Sequence, residues 1–337
     1  MSVAAARLRL RGRIELGDCP VDAAWSPDGA ALIVAGGEGT IMLAQIGEPM
    51  LVRRIGQHRT GALAVAWQRS GPLFASSGQD GAVLLWDARS LAARSIHQAV
   101  EWSEQLAFDP QGRWLAVATG RVLRLFGADG SLHSSFESQP GAIAALAWRP
   151  RGSEIAAAGN GGVCIHRLEP SLESRDYPWR GACLTASWNA DGRVLAAGMQ
   201  DGSVHLWYVV LGTQSQMQGY GSKVAVTAWS GNGRYLVTAA GNSLIAWDFS
   251  GKGPQGSRPL ELQSHSERIS ALACRPSGTW LVSAARDRRL LLWRLGFSDA
   301  PQDAHLLADE CTLLRYARNG ERLAVGDASG GLSIFDC

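Results

Sequence analysis

The feature that most constrains this chain is a short phrase that recurs eight times along its 337 residues. Each copy is an apolar run, in most copies closed by an aromatic residue, and then a polar turn that ends in glycine. The closing glycines lie 40 to 45 residues apart, at Gly29, Gly71, Gly112, Gly152, Gly192, Gly233, Gly278 and Gly320. A repeat of this length cannot bury a core alone, so the copies must pack against one another. The chain is therefore expected to form one array of small units.

Each repeat divides into three β-strands separated by turns of Gly, Pro, Asn and Asp. In repeat two the predicted strands are Ala62–Gln68, Leu73–Gly78 and Ala82–Trp86. A fourth, more polar strand precedes the next repeat, and four strands graded from apolar to polar describe a propeller blade. We predict an all-β fold with a single closed β-propeller over residues 1–337. It would have eight four-stranded blades from about residue 19 to 336, with seven as the alternative.

The N-terminal strand is predicted to complete this architecture. The last repeat lacks an outer strand, while an unassigned strand at about residues 8–16 precedes the first. Pairing the two would close the last blade and remove two exposed sheet edges. The one sizeable insertion, Gly251–Pro259, is predicted to be a flexible loop.

Composition narrows the function classes. The net charge is +2, and no element concentrates the basic stripe typical of nucleic-acid binding. No run of about 18 apolar residues predicts a membrane span, and arginines interrupt the N-terminus where a signal peptide needs an apolar segment. Six scattered cysteines without a CxxC pair favour a reduced, cytoplasmic setting.

The repeats resemble the WD40-repeat family along about the whole chain, as degenerate repeats of bacterial type. In that family a His, Ser, Asp and Trp form a hydrogen-bonded tetrad that ties a blade together. The resemblance implies two such tetrads, one of His58, Ser76, Asp80 and Trp86 and one of His265, Ser283, Asp287 and Trp293. Buried Trp N–H and Asp carboxylate groups each require a partner, which gives the tetrad its physical reason.

Other repeats depart from this pattern. Repeat five keeps Asp201 and Trp207 without a loop histidine, and repeat six has Asn242 near the Asp position. Repeats one and four have Ala44 and His166 where Trp is usual. The departures bear on tetrad bonding in those repeats and leave the fold prediction unchanged.

Protein binding is the function that the loops favour. Eleven of the thirteen tryptophans fit blade packing, whereas Trp102 and Trp179 lie in loops between an outer strand and the next inner strand. Aromatic anchors beside arginine are typical of interface hot spots. In the alternative, these tryptophans fold over the ring's mouth and cap it. The candidate contacts are Trp102, Trp179, Tyr220, Arg180, Lys223, Glu101, Glu104, Gln79, Gln200, Arg268 and Arg286.

A thiol and carboxylate cluster supports a second hypothesis. Asp18-Cys19 leads into repeat one and Asp309-Glu310-Cys311 leads into repeat eight, which ring closure would make neighbours. Thiolate and carboxylate groups together can hold Zn²⁺, so this rim is a candidate metal or redox site, although free cysteines are usually small buried hydrophobes.

No catalytic motif stands out. The chain has no GxSxG, HExxH or GxxxxGK[ST] sequence and no clustered His–carboxylate pair. A propeller hydrolase, which would need acids aimed into the channel, is the remaining alternative. We predict a non-enzymatic scaffold that binds one or more proteins and has no cofactor. A zinc ion at the cysteine rim belongs to the alternative, a metal-handling or thiol-based protein.

Overall fold

The computed structural model describes residues 7–137, 139–251 and 253–337, and this part of the chain is all-β. Within it no helix is long and apolar enough to cross a bilayer. The first strand, β1, spans Arg9–Glu15. The remaining strands belong to two compact units, an N-terminal unit of residues 20–188 and a C-terminal unit of residues 189–337 together with the chain up to residue 19.

The N-terminal unit contains antiparallel sheets whose strands follow one another in sequence order. The first three sheets have four strands each. They are β2 (Pro20–Trp25), β3 (Ala31–Gly36), β4 (Thr40–Gln45) and β5 (Leu51–Gln57); β6 (Ala62–Trp67), β7 (Leu73–Gly78), β8 (Ala82–Asp87) and β9 (Ala93–Gln98); and β10 (Ser103–Phe108), β11 (Trp114–Thr119), β12 (Val122–Gly127) and β13 (Leu132–Phe136). The unit ends with β14 (Ile143–Trp148), β15 (Glu154–Arg167) and β16 (Glu173–Trp188).

The C-terminal unit repeats the same antiparallel arrangement. Its strands are β17 (Val194–Met199), β18 (Val204–Tyr208) and β19 (Thr213–Met217); β20 (Val226–Trp229), β21 (Tyr235–Ala240), β22 (Ser243–Asp248) and β23 (Leu260–Gln263); β24 (Ile269–Cys274), β25 (Trp280–Ala285), β26 (Arg289–Arg294) and β27 (Asp303–Leu306); and β28 (Cys311–Tyr316), β29 (Arg322–Asp327) and β30 (Gly331–Asp336). The predicted insertion lies between β22 and β23, and its Lys252 falls outside the described residues.

The number of blades differs from the main prediction. Across the described residues the strands form seven sheets, six with four strands and one with six, so the prediction of eight four-stranded blades is wrong and the alternative of seven holds. The physical reason is visible in β16, which runs without a break for 16 residues and includes the apolar phrase that opens repeat five.

The N-terminal strand joins the last sheet. β1 pairs antiparallel with β30, from Arg9 opposite Asp336 to Glu15 opposite Gly331. Arg13 of β1 also forms an ion pair with Asp327 at the end of β29. The sheet β28–β29–β30 thereby gains its fourth strand, while closure of a ring stays a prediction.

Burial follows the strand order within the sheets. In β3 the side chains of Leu32, Ile33 and Val34 are fully buried, and β11 and β25 have the same pattern. The outer strands β5 and β13 are mostly exposed. The apolar residues of each repeat therefore build the core, and the turns between strands remain available to other molecules.

Candidate protein-interaction surfaces

Repeat two contains a hydrogen-bonded tetrad. His58 Nε2 lies 3.0 Å from Ser76 Oγ, and Trp86 Nε1 donates to the same oxygen at 3.0 Å. The other ring nitrogen of His58, Nδ1, lies 3.0 Å from Asp80 Oδ1, and Asp80 Oδ2 accepts from the backbone N–H of Arg59. These bonds tie the loop before β6 to the strands and turn of its own sheet.

Repeat seven contains the same arrangement. His265 Nε2 lies 2.8 Å from Ser283 Oγ, which also accepts from Trp293 Nε1 at 2.8 Å, and His265 Nδ1 lies 3.0 Å from Asp287 Oδ2. Burial lowers the pKa of His265. Burial alone would raise the pKa of Asp287, but hydrogen bonds that include one from Arg289 N hold it below its usual value. The carboxylate is therefore charged and the imidazole neutral near pH 7.

Tyr220 is the loop residue whose position differs most from the expectation. It was expected to contact a partner, yet its hydroxyl accepts from Trp247 Nε1 at 2.9 Å and lies 3.2 Å from Thr238 Oγ1. Burial raises the pKa of Tyr220. Trp247 and Thr238 stand where repeat seven has Trp293 and Ser283, so a tyrosine replaces the tetrad histidine in repeat six.

A fixed spacing accounts for this substitution. The tetrad histidines and two predicted contact residues each lie four residues before a buried position that recurs in the repeats. The four pairs are His58 and Ala62, Trp179 and Cys183, Tyr220 and Val224, and His265 and Ile269. Trp179 is therefore a regular part of the repeat, not an exception to it. It lies partly buried in β16, with the exposed Arg180 next to it.

Trp102 belongs to an exposed loop in the N-terminal unit. Its side chain is 51% exposed, and Val100 two residues earlier is fully exposed. Glu101 and Glu104 on either side of Trp102 are exposed as well. The backbone holds this tip in place, because Ala99 N donates to the carbonyl of Gly81 at 3.0 Å. The loop presents two exposed apolar side chains close to two exposed acids, and Val100 is a candidate contact residue that the sequence analysis did not include.

The remaining predicted contacts are charged or polar and are placed as follows. In the C-terminal unit Gln200, Lys223 and Arg268 are exposed, while Arg286 Nε donates to Glu310 at 2.9 Å. In the N-terminal unit Gln79 is half-buried, and its backbone N–H donates to Gly61 O. Arg286 is thus engaged within its own unit, whereas Lys223 and Arg268 are exposed.

The predicted metal cluster does not assemble. No three His, Cys, Asp or Glu side chains in the described parts of the chain lie close enough together to hold a metal ion. Cys311 points inward and its Sγ lies 3.3 Å from Leu313 O, while Glu310 binds Arg286 and Asp309 Oδ1 accepts from the next backbone N–H.

The pKa values of the two thiols are raised above their usual value. Burial raises the pKa of Cys19, and the carboxylates of Asp18, Asp327 and Asp309 raise it further. Burial raises the pKa of Cys311 to about 12. Both cysteines therefore stay protonated at neutral pH and behave as packed thiols.

Repeat five departs from the tetrad in a different way. Trp207 is almost completely buried and packs on His205 at a ring distance of 4.3 Å. Ala197 occupies the position of the tetrad serine, and Trp207 Nε1 has no hydrogen-bond partner among the described residues. Asp201 instead accepts from Ser203 within the turn. In repeat six Asn242 donates to the carbonyl of His265.

Comparison with known families matches three segments of the chain. The model of the WD domain, G-beta repeat (WD40), matches residues 50–87, 179–208 and 256–294. The first and third of these segments contain His58 to Trp86 and His265 to Trp293, the two complete tetrads. Two of the three matched segments therefore contain a complete tetrad.

Curated relatives resemble a large part of the chain at low identity. The WD repeat-containing protein slp1 of Schizosaccharomyces pombe is 23% identical over 80% of this chain and 49% of its own length. Cell division cycle 20.5, cofactor of APC complex, of Arabidopsis thaliana is 24% identical over 73% of this chain and 39% of its length. The B-type cell cycle switch protein ccs52B of Medicago truncatula is 24% identical over 70% and 50%.

Two facts limit what these relatives imply. The chain spans about half or less of the length of the curated relatives it matches. The relatives named above come from eukaryotes, so the expectation of a bacterial type of repeat has no support from them.

Proposed function

From a chain that carries WD40 repeats, we propose a non-catalytic scaffold that binds other proteins through loops between its strands. The observation that carries this proposal is the apolar tip of the N-terminal unit, where Val100 and Trp102 are exposed on either side of Glu101, with the exposed Glu104 two residues after Trp102. Large aromatic side chains lose apolar contact with water on binding and dominate interface energetics. Their exposure on a fixed loop supports a protein partner.

The loop is suited to binding because the sheet restrains it. Ser103, which follows Trp102, is buried, and its Oγ lies 3.2 Å from Thr119 Oγ1 and 3.3 Å from Gly81 O. A restrained loop loses little conformational entropy when a partner docks. The tip can therefore use most of its buried apolar area for affinity.

The charge around the tip defines the partner's chemistry. Glu101 and Glu104 favour a basic partner surface that offers an apolar pocket for Trp102. The relatives include a protein named as a cofactor of the APC complex, and a role as an adaptor within a larger assembly agrees with a binding surface of this kind. We place the protein in the cytoplasm, in line with its six free cysteines.

The proposal is tested by quantitative affinity purification from the source organism with the full chain as bait. The test variant is V100S/W102A, and the matched control is Leu132→Ser, which removes an equally exposed apolar side chain from β13. We expect at least one protein to be depleted about tenfold or more with the double variant alone, since hot-spot truncation costs about 2 kcal/mol or more. Retention of every specific partner by the double variant would overturn the proposed surface.

A further inference from the structure

Repeat four has lost its tetrad and contains a cavity of about 260 Å³ in the N-terminal unit. Gln139 takes the place of the loop histidine, four residues before the buried Ile143, and His166 takes the place of the tryptophan. The cavity is lined by Gln139, Pro140, Gly161, Gly162, Val163, Cys164, Asp176 and Pro178. Gln139, at the position of the tetrad histidine, is thus among the residues that line this space.

Gln139 is a buried polar residue whose hydrogen bonding is incomplete. Gln139 is only 4% exposed, and its Nε2 has no hydrogen-bond partner among the described residues. The Gln139 side chain favours the ionised form of the nearby Cys164 thiol. Burial nevertheless raises the pKa of this thiol to about 12, so the thiol stays protonated. A buried donor without an acceptor is costly, so the amide N–H is available to an acceptor that enters the cavity.

Asp176, on the strand that pairs with β15, provides a hydrogen-bond acceptor, whereas Gln139 provides a donor. Cys164 in β15 pairs with Asp176 in β16, and the exposed carboxylate accepts a hydrogen bond from the thiol. Burial lowers the pKa of the neighbouring His166 to about 4, so its imidazole is neutral at pH 7. Asp176 is then the charged group among the lining residues, and it favours donors over anions.

The walls of the cavity restrict what can enter. Gly161 and Gly162 form the β15 turn with φ of 96° and 120°, where other residues are strained. A Cβ added to Gly161 would lie 2.8 Å from Pro140 Cγ, so the turn and the loop approach closely. The opening is bordered by proline rings at 140 and 178, which offer apolar contact without hydrogen-bond donors.

We propose that this cavity receives a peptide group of a partner polypeptide. The partner's carbonyl accepts from Gln139 Nε2, and its N–H donates to the Asp176 carboxylate. A carboxylate would be repelled by Asp176, and an ammonium group has no acceptor to offer Gln139, whereas a peptide group presents an acceptor and a donor at the same time. The identity of the occupant as a protein rests on the proposed function, whereas amide binding does not.

The test follows the side-chain NH₂ signal of Gln139 by NMR in the full chain labelled with ¹⁵N-glutamine. N-methylacetamide is the peptide-group probe, and acetate and methylammonium are the charged probes of similar size. We expect a saturable shift of the Gln139 signal with N-methylacetamide and at least tenfold weaker effects from both ions. No shift with the amide, or an equal shift with acetate, would overturn the proposal.

Two variants test whether the binding of N-methylacetamide depends on Gln139. Gln139→Met keeps the size of the side chain and removes the donor, while Gln111→Met makes the same change on an exposed turn. A water-suppressed saturation-transfer measurement on N-methylacetamide should lose its signal with Gln139→Met and keep it with Gln111→Met, both variants showing wild-type circular dichroism. Equal signals from the two variants would contradict the assignment.

A further variant separates this inference from the proposed function. V100S/W102A should bind N-methylacetamide as the wild type does, because its two positions do not line the cavity. If partner depletion fails while amide binding persists, the proposed surface is wrong and the cavity remains a peptide-group site. If amide binding is absent while depletion is seen, the cavity proposal is wrong and the proposed function stands.

Discussion

The loops around Tyr220 and Trp102 both connect an outer strand to the next inner strand, yet the aromatic side chain packs inside the repeat in one loop and is exposed to solvent in the other. Both aromatics follow the outer strand of one repeat and precede the inner strand of the next. Tyr220 directs its hydroxyl into repeat six, where it bonds Trp247 and Thr238, while Trp102 leaves half of its side chain in water. The comparison teaches that spacing from the strand decides burial in these loops, and aromatic character does not.

The spacing acts through a defined position. Tyr220 lies four residues before the buried Val224, as His265 lies before Ile269, so its side chain meets the serine or threonine and the tryptophan of its sheet. Trp102 directly precedes Ser103, and the corresponding loop position in repeat three is Ala99, which has no polar side chain to offer. Trp102 is therefore free to serve as a surface anchor.

The largest effect should come from truncating Tyr220, the partly buried aromatic of repeat six. Tyr220→Ala removes a ring packed in the core of the C-terminal unit and leaves Trp247 Nε1 without its acceptor. We expect the free energy of unfolding to fall by about 3 kcal/mol, in the range of large buried aromatics changed to alanine. Urea unfolding followed by circular dichroism measures it, and a loss below about 1 kcal/mol would contradict the buried role.

The second prediction isolates the hydroxyl. Tyr220→Phe keeps the ring but leaves the Trp247 donor and the Thr238 hydroxyl without their common partner, which should cost about 1 to 2 kcal/mol. Tyr208→Phe provides the control, because Tyr208 is a half-buried tyrosine of the same unit outside the tetrad position. Equal unfolding free energies for both phenylalanine variants would show that the hydroxyl does not contribute.

The strands were predictable from the sequence because the turns mark their ends. In repeat two the predicted Leu73–Gly78 matches β7, and the strands on either side differ by one residue at one end. The blade count was not predictable, since nothing in the turn-rich phrases shows that β16 continues through residues 173–188 as one strand. Turn residues indicate where a strand can stop, and pairing decides whether it does.

The candidate site was predictable in part. The tetrad residues of repeats two and seven follow from the resemblance, and the exposure of Trp102 follows from its place between strands. The role of Tyr220 follows from its spacing of four residues before the buried Val224, which residue type alone does not show. Gln139 gave no signal at all, since a loop glutamine is ordinarily a solvated residue and only the packing shows it buried.

The third prediction compares the two tetrad types by pH. Burial lowers the pKa of His265, so below about pH 6.5 the unfolded chain binds the proton more readily and stability falls as pH falls. Burial raises the pKa of Tyr220, which therefore stays neutral throughout this range. Between pH 8 and 5, the free-energy difference between wild type and His265→Gln should shrink as pH falls.

The matching measurement uses Tyr220→Phe across the same pH range. Its difference from wild type should stay constant between pH 8 and 5, because no proton is gained or lost at position 220. If the difference for His265→Gln is also constant, His265 does not titrate with unfolding. The tetrad of repeat seven and the tyrosine-containing arrangement of repeat six would then contribute to stability with the same pH dependence.

The smallest effect is expected at the exposed aromatic. Trp102→Ala removes a side chain that is half in water and whose neighbours Glu101 and Glu104 are exposed, so the free energy of unfolding should change by about 0.5 kcal/mol or less. Urea unfolding under the conditions used for Tyr220→Ala gives the direct comparison. A loss of about 2 kcal/mol or more would mean that Trp102 caps its repeat. A side chain that serves to bind a partner contributes little to the stability of the free protein, so its removal should change the free energy of unfolding only slightly. A large loss in the free energy of unfolding at Tyr220 and a negligible loss at Trp102 would thus distinguish a residue that stabilises the fold from one exposed for binding, in loops that look alike in sequence.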